Sequence, residues 1–356
     1  GFLCAGLQRP PMASAVALFG SPLGALVGIL LGTGAIWIGS DFLETAAERL
    51  SAAYGLPAVV QGSIVVAVGS STPELASVVV AGLAGVFDLG VGAIVGSAIF
   101  NVLVIPAAAR LAVEQPLAAS REIVYKEAQF YMLAVSAIVV TFALAVIYVP
   151  VPGGPPLDGQ LTRPLAAIPL LLYALYLFIQ WQDVADYDAV LETDGIAIRR
   201  EWLKLAAGLA AILLGVEGLV GGVKSLSLAF GVPTFIAGVT VVAAATSLPD
   251  LLVSVRAADA ARAETSLGNV FGSNTFDLLV ALPVGVLLVG TVTVDFAVAA
   301  PMLGVLTLAT VLLFALLRTK LSLTNWEAIL LLGAYGLFLA WIVAETAGWV
   351  DLLRPA

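Results

Sequence analysis

The stretch AVGSSTPELAS, residues 67–77, sets a proline and a carboxylate among hydroxyls inside an otherwise apolar run. A second stretch, VAAATSLPDL at 242–251, repeats VAVGSSTPEL at 66–75 with Pro249 for Pro73 and Asp250 for Glu74. The separation is 176 positions, and it is kept outward from this point in both directions. GLPAVVQG (55–62) matches GVPTFIAG (231–238), and GAIVGSAIFNVLV (92–104) matches GNVFGSNTFDLLV (268–280). From Gly55 to Pro106 no gap is needed and roughly a third of the positions are identical. Chance likeness between apolar helices gives scattered Leu, Val and Ala matches. Gly, Pro, Ser and acidic positions in register point to an internal repeat.

The surrounding composition sets the class. Of 356 residues, 61% are hydrophobic and 11% charged, whereas soluble domains carry about a quarter charged residues. Ten apolar segments are read at 22–43, 58–84, 89–112, 127–149, 164–182, 202–229, 233–257, 266–290, 295–317 and 325–347. Most reach the ~20 residues a membrane helix needs. The expected fold is an all-α polytopic membrane protein, and the short alternating strands of an outer-membrane barrel are missing from the pattern. The chain has no histidine, which excludes a histidine relay or metal site, and a single cysteine, Cys4, which excludes an internal disulfide. A pI near 4.5 argues against a nucleic-acid partner. No nucleophile elbow or phosphate loop is present, so no enzyme activity is expected. The opening GFLCAGLQRPPM places its charge after the apolar piece, unlike a signal peptide, and Met12 is expected nearer the true start.

The polar stretch DVADYDAVLETDGIAIRREW (183–202) separates two halves of five segments: residues 1–182, a linker at 183–201, and residues 202–356. Five is odd, so the second half is expected upside down relative to the first. Inverted repeats are a recurrent transporter architecture, with sites near the midplane where the repeats meet. Assigned to alternate sides, eleven of the fifteen Lys and Arg fall on one face and four on the other. The positive-inside rule makes the first face cytoplasmic and leaves both termini outside a cell membrane.

Proline removes a backbone donor and breaks segments 58–84 and 233–257 near their centres. Preceding Ser and Thr hydroxyls ease such a break. Irregular backbone at membrane depth is tolerated only where it lines a cavity or is buried in protein. Each carboxylate at mid-helix costs about 2.5–3.5 kcal/mol on insertion scales. Ser97 and Asn101 lie four apart, as do Ser273 and Asp277, so each pair shares a helix face. Carboxylates, hydroxyls, amides and freed carbonyls are the oxygen set of hard cations; Ca²⁺ takes about 6–8 oxygens. A lone Ser-Pro is ordinarily a kink and a lone small-residue motif a packing face. Their duplication in register, each with a carboxylate, favours a cation site. Asp41, Glu44 and Glu48, at the cytoplasmic end of the first segment, are expected to snorkel or face solvent, with a role at a cytoplasmic entrance as the lesser reading, and Glu217 with Lys224 to form a structural ion pair. The acidic linker lacks the EF-hand ladder and reads as a solvated loop. Trp181, Trp202, Trp326 and Trp349 read as interface anchors.

At these residues the chain resembles the cation/Ca²⁺ exchangers, specifically prokaryotic sodium/calcium exchangers. GSSTPE…GSAIFN and ATSLPD…GSNTFD are similar to that family's paired G-[ST]-S-x-P-E…G-S-N-x-x-[ND] signatures. The resemblance implies exchange of Na⁺ for Ca²⁺ by alternating access, with broken helices two and seven, no cofactor beyond the transported ions, and one chain working as a monomer in the bilayer. It makes Glu74 and Asp250 the carboxylates shared by Ca²⁺ and Na⁺, completed for Ca²⁺ by the carbonyls of Ser70 and Thr246. Ser71, Ser97, Ser247 and Ser273, with the carbonyls of Ala67 and Ala243, would line flanking Na⁺ sites. Asn101 and Asp277 would sit at the middle level, and the first helix of each half would slide as a gate. Two departures stand out. Asp250 occupies a usual Glu position and reaches one methylene less, and Ala98 occupies a usual Asn position. The linker is too short for a regulatory Ca²⁺ domain. Rival readings are H⁺/Ca²⁺ or K⁺-dependent Na⁺/Ca²⁺ exchange, a passive cation channel, and a non-transporting scaffold or sensor.

Overall fold

The computed structural model describes residues 21–55, 67–114, 116–183, 197–260, 262–350 and 353. The expectations for the first residues and for most of the acidic linker lie outside them.

Most helices fall within a few residues of the apolar segments. α1 (Pro22–Ala53) starts on Ser21, whose hydroxyl accepts from the Gly24 N–H, with Pro22 pre-set for the first turn. After it come α2 (Ala67–Ser70), α3 (Thr72–Leu83), α4 (Phe87–Leu103), α5 (Ile105–Ala112), α6 (Ala128–Tyr148) and α7 (Arg163–Asp183). The second half begins with α8 (Ile198–Phe230), followed by α9 (Thr234–Ala237), α10 (Ala243–Thr246), α11 (Leu248–Asp259) and α12 (Ala263–Phe276). It ends with α13 (Leu282–Val289), α14 (Phe296–Lys320) and α15 (Asn325–Thr346). The described residues hold eight helices long and apolar enough to cross a membrane, or nine counting the bent pair α9–α10 with α11. The segment read at 58–84 is described only from residue 67, so the count of ten is not reached among the described residues.

Several element boundaries keep the offset of the matched sequences. α2 and α10 cover matched residues at the 176-position offset, as do α3 and α11, and α4 and α12 begin on matched residues. Both breaks have the same cause. Pro73 and Pro249 sit in the first turns of α3 and α11 and offer no N–H to the carbonyls of Gly69 and Ala245. The second break bends its helix pair by 42°.

The α4–α5 span is the centre of the protein: 89% of its apolar window is buried, against 22% for α7 and α15. α12 packs near it, and the outer helices turn Leu, Phe and Trp side chains outward, as lipid-facing helices do. α1 and α8 form the most extensive helix pair, through glycine. Gly32 meets Gly215, Gly39 meets Gly208, and Ala25 meets Gly222. Numbers rising on one helix fall on the other, so the two run antiparallel. A Cβ on Gly208 would lie 2.6 Å from the Gly39 carbonyl oxygen, so only glycine permits this backbone approach.

Two short antiparallel ladders join the connections, β1 (Leu117–Ala118) with β4 (Ser322–Leu323), and β2 (Asp158–Leu161) with β3 (Val292–Asp295). The apolar pattern gives no sign of them, because four residues or fewer carry too little periodicity. Lys224 departs from expectation. Its ammonium donates to the Ala84 carbonyl at 2.8 Å, capping the end of α3, and no ion pair with Glu217 forms among the described residues.

Candidate cation site

The two breaks bring Glu74 and Asp250 into the interior, each on the first turn of a helix whose partial positive end favours a carboxylate. Both are fully buried, with Ser70, Ser71, Ser97, Asn101, Thr246, Ser247, Ser273 and Asp277.

The contacts join residues of one matched segment to residues of the other. The Ser97 hydroxyl on α4 donates to Glu74 Oε1 at 3.3 Å, and Thr246 of the opposite break lies beside the same carboxylate. Ser273 on α12 and Ser70 of the opposite break lie beside Asp250. Each carboxylate thus meets one hydroxyl from its own half and one from the other. Asn101 donates from Nδ2 to Asp250 Oδ2 at 2.9 Å, and its repeat counterpart Asp277 lies within electrostatic range of Glu74. The Ser247 hydroxyl donates to Ser97 at 2.8 Å, which joins the second break to α4. The Ser71 hydroxyl lies beside Asp277 but outside hydrogen-bond geometry. Ala67 and Ala243 open the short helices α2 and α10, and the Ala243 carbonyl accepts the Ser247 N–H at 3.0 Å.

Several oxygens here have no hydrogen-bond donor: Glu74 Oε2, both oxygens of Asp277, Asn101 Oδ1 and the Ser71 hydroxyl. Among the described residues no Lys or Arg forms an ion pair with Glu74, Asp250 or Asp277. Buried carboxylates are ordinarily paired or coordinate metals. Among the described residues no three acids converge into a cage of their own. The oxygen set is a mixed one of carboxylate, hydroxyl and amide, suited to hard cations.

Two asparagines went unnoticed in the sequence. Asn269 stands at the repeat counterpart of Ala93, so register gives no hint of it. Its amide lies 3.4 Å from Asp250 Oδ1, donates to Ser254 at 3.2 Å, and its Oδ1 accepts from Ser70 at 3.3 Å. Asn274 lies inside the quoted GSNTFD. Its Oδ1 accepts from Asn101 at 3.0 Å and its Nδ2 donates to the Ala98 carbonyl at 3.3 Å. The first half lacks an amide at Ala98, and the amide of the second half docks on that residue's backbone. A π turn opens at Asp277 (Asp277–Ala281) and another lies ahead of α10 (Gly238–Val242); such turns recur at functional sites.

Glu44 also departs from expectation. Asp41 is exposed and pairs with Arg256 at 3.3 Å, and Glu48 is exposed, but Glu44 turns inward against Gly69 and its Oε1 is buried.

The sodium/calcium exchanger protein family matches the chain over residues 24–182 and 201–344. An uncharacterised membrane protein of Methanocaldococcus jannaschii is 26% identical over 309 residues, covering 86% of this chain and 94% of that protein. Sodium/potassium/calcium exchanger 3 of Rattus norvegicus is 38% identical over 104 residues, which is 28% of this chain and 16% of that one. Among solved structures, the sodium-calcium exchanger NCX_Mj superposes with a TM-score of 0.61 at 25% identity, covering 89% of this chain and 97% of the other. With both halves matched and the polar cluster buried between the two breaks, the chain belongs to the sodium/calcium exchanger family, whose members are membrane transporters rather than enzymes.

Proposed function

We propose that this chain exchanges Na⁺ for Ca²⁺ across a cell membrane by alternating access, the Na⁺ gradient driving Ca²⁺ out. The observation that carries this reading is the buried group of Glu74, Asp250 and Asp277, which no Lys or Arg pairs among the described residues. Ionised carboxylates at that depth call for a cation. One Ca²⁺ or a set of Na⁺ ions supplies the charge, and the two compete. The loaded site passes between outward and inward access. The unloaded site does not, because its uncompensated charge opposes occlusion. That restriction makes transport an exchange.

Glu74 and Asp250 bind both ions, with the carbonyls of Ser70 and Thr246 completing the Ca²⁺ site. Ser71, Ser97, Ser247 and Ser273, with the carbonyls of Ala67 and Ala243, hold Na⁺, while Asn101 and Asp277 act at the middle level. The protein works as a monomer of ten helices in two inverted halves, 1–182 and 202–356 joined by 183–201, with both termini outside. α1 and α8 move as the gate.

The test is ⁴⁵Ca²⁺ uptake into proteoliposomes loaded with Na⁺ and diluted into Na⁺-free buffer. Parallel vesicles carry K⁺ alone, Na⁺ with K⁺ outside, or an acid interior. Uptake that needs internal Na⁺ supports the reading. A strict requirement for K⁺, prompted by the 38% match to a sodium/potassium/calcium exchanger, or uptake driven by protons alone would replace the coupling ion. Ohmic current without counter-transport would replace the exchanger with a channel.

A further inference from the structure

The matched offset extends to the gate helices: Gly32 with Gly208, Gly39 with Gly215, Leu43 with Leu219, Asp41 with Glu217. It fails at Glu44, whose counterpart is the buried Val220. The first half therefore carries an acid for which the second has an apolar residue.

That acid faces the break. The Glu44 Cγ lies 3.6 Å, and its Cα 3.9 Å, from the point where Gly69 would carry a Cβ, one residue before Ser70. These are ordinary van der Waals distances, so the Glu44 side chain packs directly on the backbone of the break. Glu44 Oε1 is shut off from solvent and has no hydrogen-bond partner. Four charged groups act on Glu44: Asp250, Asp41, Glu48 and Arg256. Arg256 is already engaged with Asp41 at 3.3 Å, and Glu48 is exposed. What remains is a carboxylate on α1, packed on the break at Gly69 and within electrostatic range of Asp250, the position where this chain has the shorter acid.

We propose that Glu44 is a further cation ligand of the central site, carried on α1, which lends Asp250 the oxygen its missing methylene withholds. This rests on the exchange reading above. A Ca²⁺ or Na⁺ ion beside Asp250 is then shared between the broken helix and α1, so occupancy is felt directly by a gate helix. The second half, with Val220, has no such link, and the two gates respond unequally to the ion.

The test measures the Ca²⁺ half-saturation of Na⁺-driven uptake in Glu44→Gln, which keeps the shape, and Glu44→Val, which copies the counterpart. Glu48→Gln is the exposed control. Equilibrium ⁴⁵Ca²⁺ binding to the detergent-purified variants reads affinity without transport, and gel-filtration profiles show that they are folded. Loss of one charged ligand predicts an approximately tenfold rise in both constants for the two Glu44 variants and none for Glu48→Gln. Asp250→Glu added to Glu44→Gln should recover part of the loss, which a misfolded variant would not do. Wild-type constants in both Glu44 variants would overturn the ligand role while leaving exchange intact. Absence of Na⁺-driven uptake in the wild type would instead overturn the exchange reading, and this inference with it.

Discussion

Glu74 has one oxygen held by Ser97 and the other without a partner, in a fully buried setting. Its value to the protein is therefore its charge rather than its hydrogen bonds. Glu74→Gln keeps the volume and removes the charge; Ca²⁺ uptake is expected to fall to the protein-free background while the variant remains folded, and near-normal exchange in the flux assay would refute the charge argument. The residue types of the site were readable in the sequence because duplication exposes them: chance does not repeat Ser-x-Pro-acid at a fixed offset. The asymmetric members were not. Asn269 and Glu44 answer to Ala93 and Val220, and a lone polar residue in an apolar segment looks the same whether it faces protein, a cavity or the surface. Only the crossing of helices distinguishes them.

Among elements, the α1–α8 seam depends on backbone meeting backbone. A Cβ on Gly208 would strike the Gly39 carbonyl, whereas one on Gly304 of α14 meets nothing within 4 Å. Gly208→Val should force the pair apart, at a cost of about 1–3 kcal/mol for overpacking, and both lower the melting temperature and slow exchange. Gly304→Ala should change neither, as thermal unfolding in detergent with the flux assay will show. The ladder of β2 and β3 sets Asp158 directly opposite Asp295. Partial burial and the Asp295 carboxylate together raise the pKa of Asp158. The folded state then holds the proton more tightly than the unfolded chain, an advantage present in acid and lost as pH rises through the folded value. Asp158→Asn should accordingly raise the melting temperature at about pH 7 and leave it unchanged at about pH 3. Helix ends were legible to within a few residues at proline and at Lys/Arg clusters, except that α1 continues to Ala53, where an end near 43 was expected. Its acids beyond Leu43 look like solvent, but they lie on a helix that still packs on α8 and α2. The ladders and π turns left no trace in periodicity, being shorter than any period can register.

At the scale of the whole molecule, a single residue can report sidedness. Cys4 is the one native thiol. In a Cys4→Ser background, Leu157→Cys, ahead of β2, should react with an impermeant maleimide from outside intact cells, and Thr319→Cys, at the end of α14, only after permeabilisation. The reverse pattern would invert the topology drawn from Lys and Arg. The repeat also has a mechanical consequence. α1 and α8 hold 32 and 33 residues, roughly 50 Å each at 1.5 Å per residue, against a hydrocarbon layer of about 30 Å. The pair must lean or protrude, and with Leu30, Leu31, Trp37 and Leu214 turned to the acyl chains, lipid length sets how far. Turnover in vesicles of short-chain and long-chain lipid should differ at identical ion gradients. The membrane then acts as an elastic load on the two longest helices, and its thickness sets the rate of exchange.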